Sequence, residues 1–510
     1  MDHVPREQAG AQAQALAETA GIVSPWPVAM FIDGRAIAGD GASIAVEHPG
    51  DGRIFVEFAG ASPAQIEAAI AAARRAADAG HWAALRPVER VAIVRRFVAL
   101  LRAQADRLEA IVVAEAGCPV ASVVMPTQVR GPLDTVEAQL DLYLTLPEAE
   151  SNPLPLDERI NPAGVVFQSV RRYVPHGVVT AISAYNFPFF LDIWKVVPAL
   201  ATGNCVILRP SPLTPLSALA MADAAIEAGI PAGVLGIVAE AGADGALMLT
   251  TDPRIDMVSF TGSTDVGRKV MAQGAATMKR LQLELGGKSA QIFLPDRVAA
   301  AASTAAGVCL AHAGQGCVLG TRVLVPEHEK ASVLAAMAGA IAGLVPGDPR
   351  DPATRMGPVI SAAQADRCAR YVELAIEAGA TLVAGGKRLD RPGHYFEPTI
   401  LDVPDADNPA MRDEIFGPIV AVMGYRDVDH AVEIANASEF GLSGYVYGAD
   451  TRAALAVAKR IRSGTVNINM GGAMSGYGSS GGHRSSGLGR ERGVEGLRVY
   501  QEMQVLNFAN

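Results

Sequence analysis

The chain of 510 residues changes its hydrophobic rhythm several times. After a polar, Ala/Gln-rich leader to about residue 27, AMFIDGRAI and IAVEHPGDGRIFVEFAG alternate apolar and polar positions around a Pro-Gly turn, which predicts short strands. SPAQIEAAIAAARRAADAG then switches to helical spacing. Ile66, Ala69, Ile70, Ala73 and Ala77 form one stripe, Ser62 can cap it, Pro63 suits its first turn and Gly80 ends it. One long helical segment is expected over about residues 88–116. Between 153 and 174 a Pro-rich opening leads into GVVFQSVRRYV, an alternating strand too isolated for a compact domain and therefore read as an arm. From Val178 the runs VVTAIS, CVILRP, LGIVAE and IDMVSF alternate with helical stretches at 215–228, 243–249 and 266–275, the pattern of βαβ crossovers and a parallel sheet. A second alternating block spans about 290–469. The Gly/Ser-rich loop GGAMSGYGSSGGHRSSGLG and a last strand, RVYQEMQVLNF, follow it.

The length exceeds what one core supports, so two large domains and a smaller element are expected. With half its residues apolar, 5% aromatic and 52 glycines, the chain belongs to the α/β class. Its net charge of -10, with no long basic block, argues against nucleic acid and anionic membrane surfaces as partners. The N-terminal stretch lacks a basic start leading into an apolar core, and no apolar run approaches a membrane span, so a cytoplasmic location is expected. The cysteines (Cys118, Cys205, Cys309, Cys317, Cys368) are odd in number and widely spaced without a CxxC, which implies a reducing compartment. The histidines lack HxxxH spacing, and no metal site is expected.

Four fragments can carry chemistry. IDMVSF-TGSTDVG-RKVMAQGAA orders strand, glycine turn and helix, so Gly262 lets backbone approach a ligand and the helix-opening amides suit a pyrophosphate; an ordinary tight βα turn is the competing reading, since no GxGxxG is present. PALATGNCVILRPSPLTP puts Arg209 and Ser211 just beyond a strand end, as ligand contacts or as plain loop residues. Cys317, in AHAGQGCVLG, is either a packing residue or a nucleophile; the second role requires a neighbouring base or an electropositive helix start, because a thiol near pKa 8.5 is only a few per cent ionised at pH 7. LELGGKSA places Glu284 at a strand end before two glycines, where burial would raise its pKa. SAYNFPFFLDIWK offers Asn186 as an oxyanion donor or as a helix cap.

Taken in order and spacing, Asn186, FTGST, ELGGK, GQGC, EIFGP (Glu414 to Pro418) and SGLGRE resemble the aldehyde dehydrogenase superfamily over nearly the whole chain. The resemblance implies a Rossmann-like cofactor domain (28–150 and 174–285), an α/β catalytic domain (286–484) and a small β oligomerisation arm (151–173 and 485–510), assembled as homodimers or homotetramers. It implies Cys317 as nucleophile, Glu284 as general base, Asn186 with the Cys317 amide as oxyanion site, and Lys195 and Glu491 as their support. It implies NAD or NADP as cofactor, with Ser263 at the pyrophosphate, Glu414 at the nicotinamide ribose, and Gly262, Phe416, Arg209 and Ser211 completing the site. A small-molecule aldehyde is the implied substrate. Phe187, Leu191 and Trp194 share one helix face, as tunnel or as core, and Ser480 stands where a bulky ring is usual. A medium-sized apolar aliphatic or aromatic aldehyde is therefore expected.

Two further departures matter. Arg209-Pro210-Ser211-Pro212 replaces Lys-Pro-Ser-Glu and so lacks the ribose-binding carboxylate, which predicts that Arg209 can meet a 2′-phosphate and that NADP is tolerated. Tyr185 stands where tryptophan is common. The rival readings are acyl transfer to coenzyme A, against which Glu284 argues, and a retired structural homologue, against which the intact Cys317, Glu284 and Asn186 argue.

Overall fold

The computed structural model describes residues 26–472 and 475–509. The leader lies outside the described residues except for Trp26 and Pro27. Two antiparallel hairpins come first, β1 (Met30–Ile32) with β2 (Arg35–Ile37) and β3 (Ser43–His48) with β4 (Arg53–Ala59). Helix α1 (Pro63–Ala79) closes a capping box between Ser62 and Gln65 and ends on Gly80 at φ 69°. The single helix expected over 88–116 is two, α2 (Pro87–Ala103) and α3 (Ala105–Ala116), broken at Gln104. The break lets Phe97 and Leu101 on one side, and Leu108 and Val112 on the other, all reach the same core. Helix α4 (Arg130–Thr145) packs over it.

Strands β5 (Ala149–Ser151) and β6 (Phe167–Pro175) leave this body as a ribbon. The chain then builds β7 (Val178–Ile182), β8 (Cys205–Arg209), β9 (Leu235–Ile237), β10 (Met257–Thr261) and β11 (Arg280–Glu284). These five are parallel in the order β11-β10-β7-β8-β9, within an eight-stranded sheet. Every residue of β7, β8 and β10 is buried, as a parallel sheet covered on both faces requires. Helices α5 (Pro188–Ala201), α6 (Asp244–Thr251) and α7 (Thr264–Ala275) follow β7, β9 and β10 and begin at the sheet's carboxyl edge.

Only residues 285–289 separate β11 from β12 (Ala290–Phe293), the first strand of a second sheet. With β13 (Arg322–Pro326), β14 (Thr381–Ala384), β15 (Thr399–Asp402), β16 (Ile419–Tyr425), β17 (Ser443–Tyr447) and β18 (Thr465–Ile468) it forms the order β14-β15-β16-β13-β12-β17-β18, parallel except at β14.

The C-terminal segment divides differently from the arm expected over 485–510. β19 (Gly487–Leu488) pairs with β11 in the large sheet, and the helix Gly493–Arg498 packs on α4 and α5. Only β20 (Gln501–Ala509) joins the ribbon, pairing along all of β6. Buried Tyr500 and Leu497 hold the preceding residues to the core. The expected last strand therefore begins at Gln501 rather than Arg498. Among the described residues no helix is long and apolar enough to cross a membrane.

Candidate active site

The five-residue link between the sheets explains its own glycines. A Cβ on Gly286 would sit 2.4 Å from Glu414 Oε2, and one on Gly287 would sit 2.5 Å from the Cys317 carbonyl oxygen. Only glycine lets both loops close on this segment. The Gly287 amide donates to Glu414 Oε1 at 2.9 Å, and burial raises the Glu414 carboxyl above its ordinary pKa.

The Cys317 loop is fixed from several sides. His312, Ala313 and Gly314 all take positive φ, and a Cβ on Gly314 would overlap the Gly417 carbonyl oxygen at 2.0 Å. Buried Gln315 donates to the His312 carbonyl at 3.1 Å and accepts from the Ile360 amide at 2.9 Å. Asn186 Nδ2 donates to the Gln315 carbonyl at 2.9 Å. It does not cap α5, whose N-cap is Phe187 without a side-chain bond. One amide hydrogen thus anchors the loop two residues before Cys317, and the other remains for a ligand.

The charged groups that act on the sulfur are carboxylates. Burial first, then the carboxylates of Glu414, Glu284 and Glu491, push the Cys317 thiol up to about 12. With its pKa raised in this way, the thiol is protonated at neutral pH. Glu284 ends β11 with a buried Oε1 that has no hydrogen-bond partner; burial, and next the Glu491 charge, hold its pKa well above the usual carboxylate range, against Lys195, Arg490 and Arg492. Lys195, fully buried on α5, donates to Glu491 Oε1 at 2.9 Å and to Ser259 Oγ at 3.1 Å. Ser480 exchanges backbone bonds of 2.8 and 2.7 Å with Glu491, and this keeps the Gly/Ser loop beside it.

These groups face one cavity of about 1050 Å³. Asn186, Glu284, Cys317, Glu414, Phe416 and Glu491 line it, together with Gly262 and Ser263. Phe187, Leu191 and Trp194 line it too, and Trp194 also belongs to the buried core. Phe190, whose ring centroid lies 3.9 Å from that of Trp194, extends their aromatic wall. Opposite in composition are Gly307, Ala311 and Ser480, which contribute almost no bulk; a Cβ on Gly307 would meet nothing within 4 Å. The sequence reading missed Phe190, Gly307 and Ala311. It also missed Lys288, buried beside Glu414 and pushed down to about 7 mainly by burial, although the ELGGK motif carries it. Arg209 and Ser211 lie outside the cavity. The Arg209 guanidinium is held by Glu240 Oε1 at 3.1 Å and the Gly242 carbonyl at 2.7 Å.

The cavity also suits a dinucleotide. Ser263 caps α7 by accepting from the Val266 amide at 3.4 Å, leaving the helix's first amides at the cavity. Thr261 Oγ1 is buried there without a partner. Gly262 bears no side chain where a Cβ would lie 2.5 Å from the Phe260 ring. The carboxyl edge of a parallel sheet thus opens on a cavity that holds a cysteine, a carboxyl group and an amide donor.

The chain belongs to the aldehyde dehydrogenase family, whose family model matches residues 37–506. It is 37% identical over 477 residues to a betaine aldehyde dehydrogenase of Cereibacter sphaeroides, covering 93% of this chain and 95% of that one. Among solved structures, aldehyde dehydrogenase C of Pseudomonas syringae, in complex with NAD+ and octanal, superposes with a TM-score of 0.87 at 33% identity, over 94% of this chain and 96% of that one. The betaine aldehyde dehydrogenase of Staphylococcus aureus with NAD+ gives 0.90 at 28% identity, over 98% and 97%. The protein is accordingly an NAD(P)-dependent aldehyde-oxidising enzyme.

Alkylation of Cys317 by iodoacetamide in the absence of cofactor should rise about tenfold per pH unit between about pH 7 and 9, because a thiol pKa near 12 leaves the thiolate fraction growing throughout. A plateau below pH 8 would show a low-pKa thiolate instead.

Proposed function

We propose that the protein oxidises a medium-sized apolar aldehyde, aliphatic or aromatic, to its carboxylic acid through a thioester on Cys317. The observation that carries this reading is the gathering of Cys317, Glu284 and the free amide hydrogen of Asn186 at the cavity shared with the Gly262–Ser263 turn. NAD(P), held by the α7 amides, Ser263, Thr261 and Glu414, supplies the hydride acceptor when bound. The Cys317 thiol gives its proton to solvent, and the sulfur adds to the carbonyl carbon. Asn186 Nδ2 and the Cys317 amide donate to the resulting oxyanion, a contact worth roughly 10²- to 10³-fold in rate per donor. After loss of hydride leaves the thioester, Glu284 takes a proton from water. The hydroxide oxygen bonds to the acyl carbon, the carbon–sulfur bond breaks, and acid and free Cys317 result. Lys195 and Glu491 position the loop and α5 around Glu284.

The raised Glu284 pKa sets a direction for this chemistry: the base form grows as pH rises, so hydrolysis accelerates toward alkaline pH. Glu284→Gln should retain a burst of NAD(P)H of about one equivalent while steady turnover falls roughly 10²- to 10⁴-fold and loses that pH dependence. Cys317→Ser should lose burst and turnover together. Normal turnover in Glu284→Gln, or turnover that requires coenzyme A, would remove the assignment.

The cavity composition supports the substrate class. Aromatic rings form one wall and Gly307, Ala311 and Ser480 leave the rest wide. The Trp194 face carries the Arg492 guanidinium at 4.8 Å, which repels the quaternary ammonium group that betaine aldehyde would bring to that ring. Octanal and benzaldehyde should exceed acetaldehyde in kcat/KM by about tenfold or more, since each buried CH₂ contributes about 0.8 kcal/mol. A preference for acetaldehyde or betaine aldehyde would refute this.

The ribbon supports an oligomer. Met503, Val505, Leu506 and Phe508 are exposed along β20, distributed over both faces. Sedimentation should give a homodimer or homotetramer, and Val505→Glu with Phe508→Glu should dissociate it while the secondary structure is retained. A monomeric wild-type chain would contradict the reading.

A further inference from the structure

Arg209 was expected to be open to a 2′-phosphate, yet it is already paired. Its partner comes from the neighbouring strand: Glu240 stands just past the end of β9, and the two side chains are nearly buried, at 10% and 7% exposure. Glu240 is held on three sides. Oε1 accepts from Arg209 at 3.1 Å and from the Ala246 amide at 2.7 Å, and Oε2 accepts from the Gly245 amide at 2.7 Å. The carboxylate therefore opens α6 with its charge matched, and Oε2 keeps an unused lone pair. Residues 241–244, which follow it, are all exposed.

The pair's place in the sheet says what passes it. Strands β10, β7, β8 and β9 are successive neighbours, and their carboxyl ends form one edge. With neighbouring strands roughly 4.8 Å apart, Arg209 stands about 10 Å and Glu240 about 15 Å along that edge from the Gly262–Ser263 turn. The nicotinamide end of a dinucleotide must face Cys317, so the adenosine end runs the other way from the pyrophosphate turn, towards β8 and β9. Helices α6 and α7, whose first-turn amides meet Glu240 and Ser263, pack against each other.

Resting on the NAD(P) reading above, we propose that Glu240 is the carboxylate that receives the adenosine 2′-hydroxyl, replacing the one missing from Arg209-Pro210-Ser211-Pro212, and that this carboxylate, which also occupies Arg209, selects NAD against NADP. A ribose hydroxyl can donate to Oε2. A 2′-phosphate, with about two negative charges, would meet a buried carboxylate and a guanidinium whose charge is already spent on it. The discrimination works by repulsion as well as by fit.

The test titrates the full-length enzyme, without aldehyde, with ADP-ribose and with 2′-phospho-ADP-ribose by calorimetry. The wild type should bind ADP-ribose about 30-fold more tightly or better, and Glu240→Gln should shrink that preference by about tenfold by releasing Arg209 to the phosphate. Arg209→Gln should keep the preference. Wild-type binding of the phosphorylated probe with equal or greater affinity would overturn the proposal, as would a Glu240→Gln protein of normal circular dichroism whose ratio stays within about twofold of wild type. Should Glu240→Gln fail to fold through loss of its cap on α6, the wild type and Arg209→Gln decide: preference kept in both sustains the proposal, and preference lost in Arg209→Gln overturns it. Binding of neither probe would sink the dinucleotide reading itself, whereas binding of both without selectivity sinks this inference alone.

Discussion

Everything at the site depends on one steric constraint, the close approach of two loops to the Gly286–Gly287 backbone. That dipeptide lies in the five-residue link between the two sheets, and any side chain there would collide with Glu414 or with the Cys317 carbonyl. The eight-stranded sheet delivers Glu284, Asn186 and the Gly262 turn to its carboxyl edge; the seven-stranded sheet delivers Cys317 and Glu414. Two ordinary parallel sheets become one reaction site because the linking backbone carries no bulk.

The same closeness decides the electrostatics. Three carboxyl groups surround one sulfur, and Lys195 is committed to Glu491. Such a site suppresses the thiolate at rest and raises the pKa of Glu284 as well. A protonated thiol is also less open to oxidation than a resting thiolate.

Much of this was legible in the residues. Ser62, Gln65 and Gly80 announce α1, and the fully apolar runs of β7, β8 and β10 announce a buried parallel sheet. The six motifs in register named the family and brought twelve of the site residues to one cavity, with Lys195 behind them. What escaped notice depended on partners far along the chain. Gln104 breaks a helix without glycine or proline, because the core on either side needs a new direction. Arg209 looked available because Glu240, 31 residues later, carries no motif. Cys317 was expected to need a neighbouring base or an electropositive helix start, and the carboxylates that raise its pKa come from three separate elements. Gly307 and Ala311 gave no signal, since a missing side chain matters only when the opposite wall is known.

The most direct test is to mix the Glu284→Gln enzyme with NAD+ and octanal, quench in acid, and map the adduct by peptide mass spectrometry. An octanoyl group should be found on the peptide carrying Cys317, at about one per chain, and on no other cysteine. An unmodified Cys317, or an acyl group on Cys118, Cys205, Cys309 or Cys368, would contradict the account.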